Sequence, residues 1–317
     1  MNSSNSNKKL LHDKIANYIL AFFAVISASI VVFIILFITI KGLSPFFNDY
    51  YMDGKYYRPN FFKFLFGNTW FIPPASYSIG FIIINTLYVV FISLILSIPI
   101  SIFSSLFITK IAPKKLGKIL ETIIEILSSI PSVIYGVFGS GVITVFVRDI
   151  ANIFNIQTKG GISTLSASIV LAIMSIPTIT ILSITAIKSV DKDLEINSLA
   201  LGATKMETNF KIVLVSAKSG IFAGIILGVG RALGEATAVS MVSGNINSGP
   251  NFNIFDTTRT LTSTMLQSIH ETVGLDLDIR FSVGFILIIV LLITNYLLNL
   301  IKRKIGNMSW ENLKILP

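Results

Sequence analysis

The sequence predicts an all-α membrane protein with about six transmembrane helices. Hydrophobic residues make up 53% of the 317 residues and charged residues only 13%, and the mean hydropathy is +0.78. Soluble domains carry about 25% charged residues, so this chain lacks the polar shell that a soluble fold of its size needs. Its apolar residues also cluster in six stretches, each long enough for the roughly 20 residues with which a helix crosses a bilayer.

The six apolar stretches divide the chain into spans and connections. By hydropathy, the predicted spans are 18–40, 79–108, 119–147, 162–187, 217–244 and 281–301. The first is too long for a signal peptide and no small-residue cleavage site follows it, so we expect it to remain as a membrane anchor. The predicted regions are a tail at 1–17, a first span with an aromatic-rich external loop at 18–78, a permease core at 79–302 with a cytoplasmic loop at 188–216, and a tail at 303–317.

The basic residues predict the orientation in the membrane. The net charge is +9, but the charges lie in short connections between apolar stretches, which suits anionic lipid headgroups rather than nucleic acid. The segments 1–17, 109–118, 188–218 and 302–317 carry 16 Lys and Arg residues, whereas the longer connections 41–78, 148–161 and 246–280 carry eight. The positive-inside rule therefore predicts that both termini are cytoplasmic.

Several kinds of chemistry are excluded by composition. The chain has no cysteine and only two histidines, which lie far apart in the sequence, so it predicts no metal and no thiol redox site. It also has no Gly-x4-Gly-Lys-[Ser/Thr] phosphate loop, so we expect no nucleotide or other cofactor to bind to this chain.

Three predicted spans contain the string Ser-Ile-Pro, which ends at Pro99, Pro131 and Pro177. Proline removes a backbone donor and frees the carbonyl four residues earlier, here those of Ile95, Leu127 and Ile173. In lipid such a carbonyl needs another partner or a water-filled cavity. Two interpretations stay open: kinked helices whose hydroxyls bond back to their own backbone, or a polar pathway lined by Pro131 and Ser132.

Small residues recur every four positions in the fifth predicted span. The two series are Gly220, Gly224 and Gly228, and then Gly230 and Gly234. This spacing lets another helix approach closely, so the span is expected to pack in the middle of a bundle or against a partner subunit.

The same span contains two charged residues, Arg231 and Glu235, four positions apart and so on one face of a helix. A charge at mid-bilayer costs at least about 2.5–3.5 kcal/mol, so it needs a partner or water. One interpretation is a structural ion pair. The other, which we favour, is that Arg231 contacts an anion in transit and Glu235 orients it, because a guanidinium presents a planar fork of donors to an oxyanion.

The connection 188–218 alternates charged and apolar residues and is interrupted by Gly202. It predicts two short helices at the cytoplasmic surface, which either rest on lipid or insert into a groove on a soluble partner.

This connection resembles the cytoplasmic EAA loop of the permeases of binding-protein-dependent ABC importers. A glycine, nine residues and then Ile-x-Leu are typical of that loop, and Gly202 keeps this spacing to Ile212 and Leu214. Two features depart from the pattern: 196–198 reads Ile-Asn-Ser instead of Glu-Ala-Ala, and Val215 replaces a proline. The resemblance implies docking on an ATPase subunit through Glu195, Ala200, Gly202, Ala203, Thr204, Glu207, Ile212 and Leu214.

A narrower resemblance covers roughly 60–302. The strings 230–235 and 238–245 are similar to those of PstC-type permeases of the high-affinity phosphate importer, with Ala236 in place of a threonine. Residues 130–136 match the same subunit, as do 66–67 with Trp70 and Pro73.

This resemblance implies a subunit of an ATP-driven transport complex rather than an enzyme. The expected partners are a second permease (PstA type), a dimer of ATP-binding subunits (PstB type) that holds ATP and Mg, an extracytoplasmic phosphate-binding protein (PstS type) and membrane lipid. Three alternatives remain: the same machine for sulfate or molybdate, a stand-alone channel or secondary carrier, and a non-transporting membrane scaffold.

Overall fold

A computed structural model describes the backbone of residues 3–52, 54–71 and 76–311 and the side chains of 14–51, 54–71 and 76–304. The helices are α1 (Ser3–Leu43), α2 (Phe61–Phe66), α3 (Gly80–Leu106), α4 (Lys114–Ser129), α5 (Ser132–Phe138), α6 (Thr144–Ile153), α7 (Thr164–Lys188), α8 (Lys192–Ala200), α9 (Lys205–Glu207), α10 (Leu214–Gly234), α11 (Thr237–Val242), α12 (Leu261–Leu266) and α13 (Leu275–Glu311). Two short antiparallel hairpins pair β1 (Tyr50–Met52) with β2 (Lys55–Tyr57) and β3 (Trp70–Phe71) with β4 (Ser76–Tyr77).

Six helical segments of the described chain are long and apolar enough to cross a membrane, so the predicted all-α membrane fold is confirmed. They are Lys14–Phe46, Gly80–Ile111, Ser132–Ile153, Thr164–Lys188, Lys205–Gly234 and Leu275–Lys304. An even number of spans places both termini at one end of the bundle together with α4, α8 and α9, which we call the terminal end. The hairpins and the connection 235–274 lie at the other end, which we call the hairpin end.

The centre of the bundle is α7, which packs against α3 on one side and α10 on another. Its buried residues, among them Val170, Leu171 and Met174, join those of α3, α10 and α11 in one hydrophobic cluster. The first span, α1, packs chiefly along α13, where Ser282 donates a hydrogen bond of 2.6 Å to the Gly42 carbonyl. Most of α1 is exposed, as expected for a helix surrounded by lipid.

The predicted third span at 119–147 is wrong, because the chain breaks at Ile130 and Pro131. Both residues are extended, and they separate the amphipathic helix α4 from the span that begins at Ser132. Proline disfavours a helical conformation in the residue before it and cannot continue a helix as a donor. The carbonyl of Leu127 accepts a hydrogen bond of 2.7 Å from the Tyr135 hydroxyl, which ties the two helices together across the break.

The bounds of the fifth span also differ from the prediction of 217–244. The helical segment begins at Lys205, twelve residues earlier, and continues through π-helical turns over Thr208–Val213 into α10. It ends at Gly234, because Glu235 has an extended backbone, and α11 is a separate short helix. The span therefore joins the loop at 188–204 directly to the position of Arg231.

The hairpin end is a folded cap with its own hydrophobic cluster. Phe64, Trp70 and Tyr77 are buried there against α3, α12 and the start of α13. The aromatic residues of 41–78 therefore fall into two groups. Some are buried in this core, whereas others such as Tyr51 and Tyr56 are exposed. Burial of the rings holds the connection 235–274, with α12, against the ends of the spans.

Candidate functional site

Arg231 lies on the last turn of α10, half-buried beside α7. Its Nη1 donates a hydrogen bond of 2.8 Å to Oγ1 of Thr178, the residue after the proline of α7. Within the described part of the chain, no carboxylate lies within ion-pair distance of this guanidinium. The positive charge is therefore balanced neither by Glu235 nor by another described acid, and most of its donors are available to another group.

Glu235 does not pair with Arg231, so the structural ion pair, the interpretation that we did not favour, is not formed, and the expected shared helical face is wrong. Because α10 ends at Gly234, the carboxylate turns away and its Oε1 accepts a hydrogen bond of 3.0 Å from the backbone N–H of Ala238. The Glu235 carbonyl accepts a second bond, of 2.7 Å, from the hydroxyl of Thr262. Glu235 thus fixes the turn between α10 and α11 and connects it to α12.

Pro131 and Ser132 begin α5 at the break after α4. Pro131 is exposed and Ser132 is half-buried, and neither forms a hydrogen bond with Arg231 among the described residues. The structure links α5 to the site indirectly, because Gly136 packs against α11: a Cβ there would lie 3.0 Å from Cα of Ala238. The chain after Arg231 is therefore wedged between α5 and α7.

The predicted glycine face divides into two parts. Gly220, Gly224 and Gly228 face α7, where an added Cβ would meet Ala186, Leu182 and Ile179 respectively. At Gly230 and Gly234 an added Cβ would have no atom within 4 Å among the described residues. The first series brings α10 and α7 into close contact, whereas the second leaves an open helical face next to Arg231.

Gly220→Ala is expected to destabilise the bundle by about 1–3 kcal/mol, as overpacking typically does. The new Cβ would lie 2.5 Å from Cβ of Ala186, which has no rotatable side chain to move aside, so the two helices must separate. Gly230→Ala is the matched control and should be neutral or slightly stabilising. Thermal unfolding of the detergent-solubilised chain measures both, and equal midpoints for the two variants would contradict this packing.

The loop between α7 and α10 forms two short helices around a glycine, as predicted. Asp191 caps α8 through the N–H of Asp193 at 3.0 Å, and Gly202 turns the chain with φ +88°, a conformation that favours glycine. Thr204 and Glu207 then form a capping box that starts α9. Each helix start is thus secured by side chains of the loop itself.

The loop exposes an apolar ridge at the terminal end. Leu201 is 90% exposed at its tip, and Met206 is 54% exposed on the next helix. Glu195 forms an ion pair with Lys110 at the end of the second span, which anchors α8 to the bundle. The other predicted loop residues include the exposed Ala200 and the half-buried Ala203, Ile212 and Leu214.

Two buried arginines at the hairpin end were missed by sequence reasoning, which counted them as charges of a connection. Arg259 and Arg280 are each only 3% exposed. Nη2 of Arg259 donates to the carbonyl of Asn245 at 2.8 Å, and the guanidinium lies 5.8 Å from the ring centroid of Trp70. Burial, and secondarily the charge of Arg280, lower the pKa of Arg259 to about 10, so its guanidinium remains charged at neutral pH. The sequence does contain one signal for the burial of Arg280: Asp276 lies one helical turn before it, at the start of an apolar run, where an ion pair would be needed.

Comparison with known proteins identifies the family. Residues 97–307 match the family described as "Binding-protein-dependent transport system inner membrane component". The phosphate transport system permease protein PstC of Pasteurella multocida is 34% identical over 263 residues, 77% of this chain and 82% of that protein. The probable ABC transporter permease protein YqgH of Bacillus subtilis is also 34% identical, over 91% of this chain and 90% of the relative.

Solved structures support the same fold. An inward-facing structure of the MetNI methionine ABC transporter matches with a TM-score of 0.51 at 19% identity, over 72% of this chain and 94% of that one. A bacterial alginate ABC transporter matches with a TM-score of 0.50 at 17% identity, over 71% and 78%. Pro73, one residue of the narrower resemblance, lies outside the described residues. The chain belongs to the family of inner membrane components of binding-protein-dependent transport systems, the multi-pass permease subunits of ABC importers, and resembles the PstC-type permeases within it.

Proposed function

We propose that this chain is the permease subunit that conducts inorganic phosphate into a bacterial cell, powered by ATP hydrolysis on a partner. The observation that carries the proposal is Arg231: a guanidinium inside a span, with one hydrogen bond to Thr178 and no described acid to neutralise it. An unpaired charge in this position is costly unless an anion or water reaches it. The names of the PstC relatives support phosphate as that anion.

The distribution of charge and the loop between α7 and α10 support the orientation and the partners that we propose. With both termini cytoplasmic, the terminal end and its apolar ridge face the cytoplasm, where a dimer of PstB-type ATPase subunits would receive them and hold ATP and Mg. The hairpin end then faces a PstS-type phosphate-binding protein. A PstA-type permease completes the pathway, and the open face at Gly230 and Gly234 beside Arg231 suits such a neighbour.

Each residue of the site has a distinct role in this proposal. Arg231 offers its remaining N–H donors to the phosphate oxygens, because a guanidinium can bind two oxygens of an oxyanion at once. Glu235 positions the turn into α11 rather than orienting Arg231 directly. Pro131 and Ser132 lie at the break where α5 begins, and because α5 packs against α11, we place them at the border of the same pathway.

Competition separates phosphate from the other oxyanions. In proteoliposomes containing the four-component complex, excess phosphate is expected to suppress uptake of labelled phosphate, whereas excess sulfate or molybdate leaves it unchanged. ATPase activity stimulated by sulfate and not by phosphate would assign a different cargo to the same machine. Uptake by the purified chain alone and without ATP would indicate a channel or carrier instead.

A further inference from the structure

A polar cavity at the hairpin end is separate from the Arg231 site. Its volume is about 240 Å³, and it is lined by Trp70, Phe71, Asn247, Arg259, Gln267, Ser268 and Arg280. Two positive side chains therefore converge on one partly open cavity. The one carboxylate in contact with them is Asp276, whose Oδ2 lies 3.7 Å from Nη2 of Arg280, so the cluster of described charges keeps an excess of one positive charge.

Several donors of these arginines have no partner, although both side chains are buried. Arg259 places all its hydrogen bonds on Nη2, whose two N–H groups are shared among the Asn245 carbonyl and the side-chain oxygens of Asn247 and Gln267 at 2.8–3.1 Å. Its Nε and Nη1, and Nε of Arg280, are buried without a hydrogen-bond partner in the described part of the chain. Buried charged donors normally have partners, and leaving them without one is costly. A group with several acceptors and negative charge is what this cavity lacks.

We propose that this cavity is a second anion site, which binds a small oxyanion between Arg259 and Arg280. The planar guanidinium of Arg259 is held in place by the three acceptors around Nη2 and by the Trp70 ring, so the site is preorganised. Taking that anion to be phosphate rests on the function proposed above. The anion would bind here before or after its contact with Arg231.

The fold connects this site to Arg231 over a short stretch of chain. Arg259 precedes Thr260, the N-cap of α12, which forms a capping box with Ser263 in the first turn of that helix. Thr262 on the same helix holds the carbonyl of Glu235, which ends the turn after α10. A change in the position of Arg259 on anion binding therefore reaches the turn next to Arg231 through one helix of six residues.

The fluorescence of Trp70 tests the proposal directly. The sequence has two tryptophans, Trp70 and Trp310, so Trp310→Phe makes Trp70 the only one in the full-length chain. In detergent, titration with inorganic phosphate is expected to change this fluorescence in a saturable manner, and chloride is expected to leave it unchanged. In the same background Arg259→Gln should weaken the apparent affinity about tenfold or more, because it removes charged hydrogen bonds.

Two variants of Ser268, at the opening of the cavity, test the site without removing an arginine, so the test does not depend on whether Arg259→Gln folds. Ser268 is exposed and has φ +54°, a conformation that Asp and Asn tolerate. Ser268→Asp places a carboxylate at the mouth and should weaken phosphate binding about tenfold, whereas the neutral Ser268→Asn should leave it within about twofold. Equal affinities for the two variants would overturn the proposal.

The remaining outcomes separate this site from the proposed transport function. A Trp70 response that persists in Arg231→Gln, in which uptake is lost, supports two distinct sites. No response of the parent protein to millimolar phosphate overturns the anion site. A response to micelles of phosphatidylglycerol but not to free phosphate also overturns it, because the cavity would then receive a lipid headgroup. If the complex transports sulfate instead, the cargo proposal fails while a phosphate response of Trp70 still stands.

Discussion

Replacing Arg231 with glutamine is expected to lower phosphate uptake at least about a hundredfold while the complex still assembles. The change removes the charge and all but two donors from the pathway, and hydrogen bonds to charged groups contribute about 1.5–3 kcal/mol each. Folding should tolerate the change, because in the described chain Arg231 makes one side-chain hydrogen bond, to Thr178, and no ion pair. Uptake of labelled phosphate by proteoliposomes, together with copurification of the four components, measures the two effects separately.

Two further variants show whether the charge of Arg231 or its shape is required. Arg231→Lys keeps the charge but loses the planar fork, so an intermediate rate is expected. Thr178→Val removes only the bond that holds Arg231 against α7, and should leave most of the uptake intact. Full uptake by Arg231→Gln would refute the role of this residue as an anion contact. Loss of assembly in Arg231→Gln would instead support the membrane scaffold interpretation.

Leu201→Asp is expected to abolish uptake by disconnecting the permease from its ATPase. This side chain is 90% exposed at the tip of the loop between α7 and α10, the proposed coupling loop, so its burial depends on a partner and not on this chain's own fold. Removing a central apolar contact from an interface costs about 2 kcal/mol or more, equivalent to an affinity about thirtyfold lower. Copurification of the ATPase subunits and phosphate-stimulated ATPase activity in the reconstituted complex are the measurements.

The matched control for this variant lies at the opposite end of the molecule. Val273 is 82% exposed at the hairpin end, so Val273→Asp makes the same change of chemistry away from the coupling loop. It should leave ATPase copurification unchanged. If Leu201→Asp binds the ATPase as tightly as Val273→Asp does, the ridge rests on lipid, which is the other interpretation that the amphipathic pattern allows.

The sequence predicts most of this fold because hydropathy responds to lipid directly. The number of spans, six, is predicted correctly, and Gly202 alone predicts the break in the loop between α7 and α10, because its backbone conformation favours glycine. The third span was misplaced because hydropathy averaged over the break at Pro131 and merged the apolar face of α4 with α5. A hydropathy pattern does not show where a helix ends. Here the end of α4 is set by the non-helical backbone conformations of Ile130 and Pro131.

The site was less predictable because it depends on where helices end. The spacing of Arg231 and Glu235 implied a shared face, but that rule holds only inside a helix, and α10 ends at Gly234. The sequence places Arg259 and Arg280 in an external connection, because the spacing of Asp276 and Arg280 indicates a pair between them but not that the connection folds back around a cavity beneath Trp70. Their burial results from tertiary packing of the hairpin end.

The glycine face of α10 has a mechanical consequence. The segment from Lys205 to Gly234 contains 30 residues, so as a helix it forms a rod about 45 Å long between the coupling loop and Arg231. Because Gly220, Gly224 and Gly228 present no side chains to α7, that surface offers few knobs to resist sliding of one helix along the other, the motion known as shear. Sliding of α10 along α7 would break the hydrogen bond between Arg231 and Thr178, which joins the two helices near the end of α10.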